Sequence, residues 1–121
     1  MPTAAITTVT ERRSGSVKEI IYTFTSSDTG TASQATTYTY NGKLIGAVID
    51  PGTTTPSADW DLTVTDADSI DVLNGGGADC SETATEYIAE ASLGSVVNSA
   101  LTMNVTNAGD QKKGTVYIYI R

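Results

Sequence analysis

The sequence predicts an all-β fold, an antiparallel β-sandwich with jelly-roll-like connectivity and about eight strands. Three observations carry that prediction. Short runs alternate apolar and polar residues with a period of two, the spacing of a strand with one face buried. Clusters of Gly, Pro, Asn, Asp and Ser punctuate those runs. The composition holds 21 Thr and 11 Ser in 121 residues, while only 17% of residues are charged. Thr is β-branched and suits a half-buried pleated surface. Leu, Glu, Lys and Arg, which favour helices, are scarce. A chain of this length fits one domain, expected to span residues 1–121.

The elements follow in order. Ala4 to Thr10 reads as a first strand, and Glu11 to Ser16 as a charged turn. Val17 to Thr25 is a strong strand, with Ile20, Tyr22 and Phe24 on one face. Thr36 to Tyr40, Asn41-Gly42 and Lys43 to Ile49 together read as a hairpin. Asn-Gly favours a type I′ turn, because both central positions need positive φ. The segment after that turn is apolar on both faces, which predicts a central strand. Asp50 to Ser57 is a Pro-containing loop. Trp60 to Thr65 reads as a strand, with Leu62 and Val64 on one face. An acidic turn, Asp66 to Ser69, leads to a short strand over Ile70 to Leu73, then a flexible Asn74-Gly75-Gly76-Gly77. Thr83 to Ala91 fits short helix or strand, and Ser92 to Ser99 fits strand or loop. Leu101, Met103 and Val105 mark a half-buried strand. Thr115 to Ile120 closes the chain, with Tyr117 and Tyr119 on one face and Val116, Ile118 and Ile120 on the other.

The charge and the missing residue types exclude several functions. Fourteen acids against seven bases give a net charge of −7, and the pI is about 4.2. Nucleic acid is not expected as a partner, since phosphate binding needs a basic footprint. An anionic membrane is disfavoured for the same reason, and no run approaches the roughly 18 apolar residues needed to span a bilayer. The segment from Met1 to Ile6 has neither a basic region nor a long apolar one, so no signal peptide is expected. The chain has no His and a single Cys, Cys80. Ser-His-Asp and Cys-His catalysis are ruled out, as is a Cys/His metal cluster. No enzyme activity and no cofactor are expected. Cys80 has no basic neighbour in sequence and reads as a small packed side chain rather than a nucleophile.

Three groups remain as candidate sites. Asp66, Asp68 and Asp71 begin somewhat like a calcium loop, but Asp71 stands where that loop needs Gly and Gly77 where it needs Glu. These carboxylates are therefore either turn formers bonding their own backbone or weak candidates for a divalent cation. Asn74 to Gly77 lacks the Lys and the following helix of a phosphate loop. Tyr38, Tyr40, Tyr117 and Tyr119 alternate on strands, and Trp60 is the only Trp. They either cover the edge of the core or form a subunit interface, where Tyr and Trp are enriched. Trp60 with a tyrosine pair would also suit a carbohydrate-binding module.

From Asn41-Gly42-Lys43-Leu44-Ile45-Gly46 through Ile49-Asp50-Pro51-Gly52, Pro56 and Trp60 to Asp66, then Asp71 to Gly75, the order of features resembles small structural proteins of tailed bacteriophages. It is most similar to capsid decoration (cement) proteins. Val105 to Gly109 and Gly114 to Tyr119 resemble them too. The resemblance implies a virion protein made in the host cytoplasm, a homo-oligomer, commonly a trimer, clamped on the major capsid protein. A head–tail connector or tail component is the alternative within phages.

Overall fold

The computed structural model describes residues 3–121; Met1 and Pro2, the start of the segment read as lacking a signal peptide, lie outside it. Nine strands follow one another: β1 (Ile6–Arg12), β2 (Lys18–Thr25), β3 (Ala32–Ala35), β4 (Tyr40–Asp50), β5 (Asp61–Thr65), β6 (Glu86–Ala89), β7 (Ser95–Ser99), β8 (Thr102–Thr106) and β9 (Lys113–Ile120). A single 3₁₀ turn, Glu90–Ser92, separates β6 from β7. The larger sheet runs β1-β2-β9-β4-β6, with β7 also paired to β4; the smaller runs β3-β8-β5. Every pairing is antiparallel. The fold is thus the antiparallel sandwich expected, with nine strands split six against three. A jelly roll's eight strands in two Greek keys are not what this order describes.

Alternation decides which side chains meet between the sheets. Ile20, Tyr22 and Phe24 of β2, and Val116, Ile118 and Ile120 of β9, turn inward from the larger sheet. Leu62 and Val64 of β5, and Met103 and Val105 of β8, turn inward from the smaller. All are essentially free of solvent and form one core cluster. Trp60 lies just before β5, bridged to Cys80, with its ring 5.5 Å from that of Phe24. Its indole N–H donates to the Ser81 carbonyl, 3.1 Å away. Tyr22 is buried too, and its hydroxyl donates to the Leu101 carbonyl at 2.8 Å. Burial raises the pKa of that hydroxyl, so it stays protonated as a donor.

The segment after Asn41-Gly42 is central, as its apolar faces predict: β4 lies between β9 and the β6 and β7 side. The hairpin itself does not form. Thr36 to Thr39 are outside any strand, and β4 runs unbroken through Asn41-Gly42. Distant partners outcompete the local turn. Tyr40 pairs with Ser99 and Gly42 with Val96 across an irregular register. Lys43 exchanges backbone bonds with Arg121, each 3.0 Å. Gly42 has φ +137°, and a Cβ there would strike the Arg121 carbonyl. Glycine is needed at this position for a close approach of two strands rather than for a turn.

Ile70 to Leu73 is likewise not a strand. Asp71 makes one bridge to Thr65, and the chain then turns. Val72 and Leu73 are buried anchors that pin this long connection to the core. The ambiguous stretch Thr83 to Ala91 resolves into β6 followed by the 3₁₀ turn, and Ser92 to Ser99 contains β7. β3 has no counterpart among the sequence expectations. Its residues, Ala32-Ser33-Gln34-Ala35, carry no large apolar side chain to signal a strand.

Candidate functional site

The larger sheet turns an aromatic face to solvent. Strand register lines up Thr10, Ile21, Tyr117, Val48 and Tyr87 in one row across β1, β2, β9, β4 and β6. The next row is Arg12, Glu19, Tyr119, Gly46 and Ala89. Tyr87 is 67% exposed, while Tyr117, Tyr119, Ile21 and Val48 are half-buried. Gly46 makes room for this cluster. A Cβ there would lie 3.0 Å from the Tyr87 hydroxyl and 3.5 Å from the Tyr119 ring, so both rings lean over the bare backbone. Partial burial, with Glu19 nearby, raises the Tyr119 hydroxyl above its ordinary value. The result is an aromatic and apolar patch with phenol groups, bordered by the Arg12–Glu19 ion pair, a composition typical of contact sites.

The structure separates the aromatic residues singled out from sequence. Tyr117 and Tyr119 stand on this outer face. Tyr38 is exposed at the end of the β1 edge, with the Arg13 guanidinium 3.4 Å above its ring centre. Trp60 and Tyr40 are not interface residues, because both are buried within the chain. Trp60 fills the core between the sheets. The Tyr40 hydroxyl turns back to donate to Glu11 Oε1 at 2.7 Å. Glu11 also accepts from the N–H groups of Thr37 and Tyr38, at 2.9 and 3.2 Å. Burial would raise the pKa of this carboxyl, but the three bonds together outweigh it and hold the value below 4.5. Tyr87, Ile21 and Val48 were not flagged by sequence. Only cross-strand register brings them beside Tyr117, and register is set by pairing between distant segments.

The carboxylates Asp66, Asp68 and Asp71 do not converge. Asp66 Oδ1 accepts the N–H groups of Asp68 and Ile70, at 2.9 and 3.0 Å. Asp71 Oδ1 accepts those of Val64 and Leu73, and its Oδ2 that of Gly75 at 3.0 Å. Asp68 is exposed at the loop tip. Two of the three thus hold turns through their own backbone, the alternative to cation binding. Among the described residues, no group of three Cys, Asp or Glu side chains is placed to hold a metal ion. Cys80 is buried, with its thiol directed at the Gly77 carbonyl, 3.1 Å away. Burial, with Glu86, Asp61 and Asp79 nearby, pushes its pKa up to about 12, so it is a poor nucleophile. An open hollow of about 310 Å³ beside β3 and β8 is lined by Ala, Ser, Thr, Asn and Val side chains and carries no titratable group.

Among the described residues, no helix is long and apolar enough to cross a membrane. No family model, curated protein or solved structure matches the chain. The fold and the face together define an antiparallel β-sandwich with an aromatic patch on the outer surface of its larger sheet.

Proposed function

We propose that this chain is a non-enzymatic structural subunit of a phage virion, a decoration protein that works as a homo-oligomer, in particular a trimer, on the major capsid protein. The observation that carries the reading is the outer face of the larger sheet. Tyr87, Tyr117 and Tyr119 with Ile21 and Val48 form a contact-type surface on a scaffold whose Asp66 and Asp71 carboxylates are committed to its own turns. The buried thiol, the turn-forming carboxylates and the chemically bare hollow support a structural role over catalysis. The resemblance to phage decoration proteins supplies the capsid as the larger partner.

Two measurements test this reading. Light scattering should give three times 12.6 kDa; a hexamer or dodecamer would move the reading to a connector or tail component. Sedimentation with emptied phage heads stripped of decoration should carry the protein into the pellet. A monomer that ignores the heads and binds glycans would overturn the reading in favour of a carbohydrate-binding module.

A further inference from the structure

We infer that Asn74 is a self-modifying site: its side-chain amide is lost to attack by the Gly75 backbone nitrogen, and water turns the product into aspartate and isoaspartate. Ring closure of this kind is fastest where the residue after Asn carries no Cβ, because a side chain there crowds the attacking nitrogen. The chain has five Asn, and two of them precede Gly, at Asn41-Gly42 and Asn74-Gly75. Asn98, Asn104 and Asn107 precede Ser99, Val105 and Ala108, each with a Cβ. The two Asn-Gly pairs share their covalent chemistry and differ in what surrounds them.

Asn41-Gly42 is closed. It lies inside β4, where Gly42 pairs with Val96 of β7. Asn41 Oδ1 accepts the Asn98 N–H at 2.6 Å. Lys43 exchanges backbone bonds with Arg121, and a Cβ on Gly42 would strike the Arg121 carbonyl. Swinging the Gly42 nitrogen onto the Asn41 side chain would pull β4 away from these neighbours. Asn74-Gly75 is open. Asn74, Gly75 and Gly76 are all exposed in the turn that follows the buried anchors Val72 and Leu73. A Cβ on Gly75 would meet nothing within 4 Å. The Gly75 N–H is held by Asp71 Oδ2 at 3.0 Å, an exposed bond that water can replace. Asn74 has φ +54° and Gly75 φ +81°. For Asn74 this is the sparsely populated left-handed region, so rotation out of it meets no intrinsic backbone preference.

The step balances with water and hydroxide alone. Hydroxide takes the Gly75 N–H proton, the nitrogen attacks Asn74 Cγ, and the new C–N bond closes a five-membered imide ring. The Cγ–Nδ2 bond breaks, and the departing nitrogen takes a proton from water and leaves as ammonia. Water then adds to either imide carbonyl. Opening on one side gives aspartate; opening on the other gives isoaspartate, whose main chain runs through the side-chain methylene. Either product adds a carboxylate to a turn that already holds Asp71, whose carbonyl accepts the Asn74 N–H at 3.0 Å. Isoaspartate also lengthens that turn, and the Gly77 carbonyl within it accepts the Leu62 N–H of β5 at 2.7 Å.

Ageing the folded protein at mildly alkaline pH tests this. Trypsin separates the two pairs, since Asn41 falls in the peptide 19–43 and Asn74 in the peptide 44–112. Fragmentation in the mass spectrometer locates the amide turned to acid, and an isoaspartyl methyltransferase with a labelled methyl donor counts isoaspartate. In the folded chain Asn74 should convert at least about tenfold faster than Asn41. In denaturant, where both pairs are free of the fold, the two rates should converge. Asn74→Gly suits the positive φ, so this variant should fold as wild type does and lose the isoaspartate signal. Equal rates at the two pairs in the folded chain overturn the inference, as does conversion led by Asn41. An Asn74 that stays intact in the folded chain, or a signal that persists in Asn74→Gly, also overturns it.

Discussion

The two sheets treat their inner faces alike and their outer faces differently. Inside, both present alternate Ile, Val, Leu, Met and aromatic side chains to one core. Outside, the smaller sheet shows Ser33, Asn104 and Thr63 in one row and Ala35, Thr102 and Thr65 in the next. Asn104 stitches that surface together. Its amide donates to the hydroxyls of Thr63 and Thr65, at 3.3 and 3.2 Å, and accepts from Ser33 at 3.3 Å. Those side chains satisfy one another. The larger sheet instead leaves Tyr87 exposed and Tyr117, Tyr119, Ile21 and Val48 only half-buried on its outer face. One strand rhythm therefore makes both sheets, while the residues on the outward positions decide which sheet is finished and which is open to a partner.

The largest effect should come from breaking what the sheets share. Trp60 joins them, filling the core at the start of β5 against Phe24 of β2. Trp60→Ala should cost about 3–5 kcal/mol, and both sheets should melt in one transition. Chemical denaturation followed by far-ultraviolet circular dichroism and tyrosine fluorescence reads this. Two separate transitions would show that the sheets do not share one cooperative core.

On the finished face, Asn104→Ala should cost about 1 kcal/mol, since it removes the amide that links three hydroxyl side chains. Its oligomeric state should be unchanged. If stability stays at wild-type level, the hydroxyls find water as readily as they find Asn104, and the stitched surface contributes nothing.

A smaller effect, present at neutral pH and removed by acid, belongs to the edge where the sheets meet. Glu11 on β1 holds Thr37, Tyr38 and Tyr40 of the link between them. Its folded pKa lies below the ordinary 4.5. The folded state therefore binds this proton less readily than the unfolded state. The resulting stability is fully present above pH 4.5 and is lost as pH falls through the lower folded value. Glu11→Gln should lower the melting temperature at neutral pH and flatten its fall in acid. Asp61 keeps part of the acid limb, because bonds from Asp79 and Asn107 lower its value too. An acid limb identical in wild type and variant would remove Glu11 from this role.

The contrast between the faces also marks what the sequence could convey. Residues 17–25, 101–106 and 115–120 were legible because large apolar residues alternate there without interruption. Asn41-Gly42 misled because turn propensity is local, while Tyr40, Gly42 and Lys43 found partners at Ser99, Val96 and Arg121. β3 was silent because the partner that makes it a strand is β8, some seventy residues on. An aromatic residue in sequence does not announce its burial, so Trp60 and Tyr40 read the same as Tyr117. The aromatic face depends on register across five strands, and no single segment encodes that.

The smallest change in stability should accompany the largest change in assembly. Tyr87 is the most exposed tyrosine of the outer face, and it lies over the bare backbone at Gly46 without entering the core. Tyr87→Ser removes contact area from the open face and leaves the inner face untouched. Surface changes of this kind alter stability by no more than about 0.5 kcal/mol. The same ring, if covered by a partner, belongs to the residue type that dominates binding energy, where truncation costs about 2 kcal/mol or more. Thermal melting should therefore barely register the change, while cosedimentation with stripped heads falls by more than about tenfold, the equivalent of 1.4 kcal/mol. The paired control is Thr63→Ala on the finished face, which should leave binding intact. Equal binding by wild type and Tyr87→Ser would mean that the open face of the larger sheet is not where this protein meets its partner.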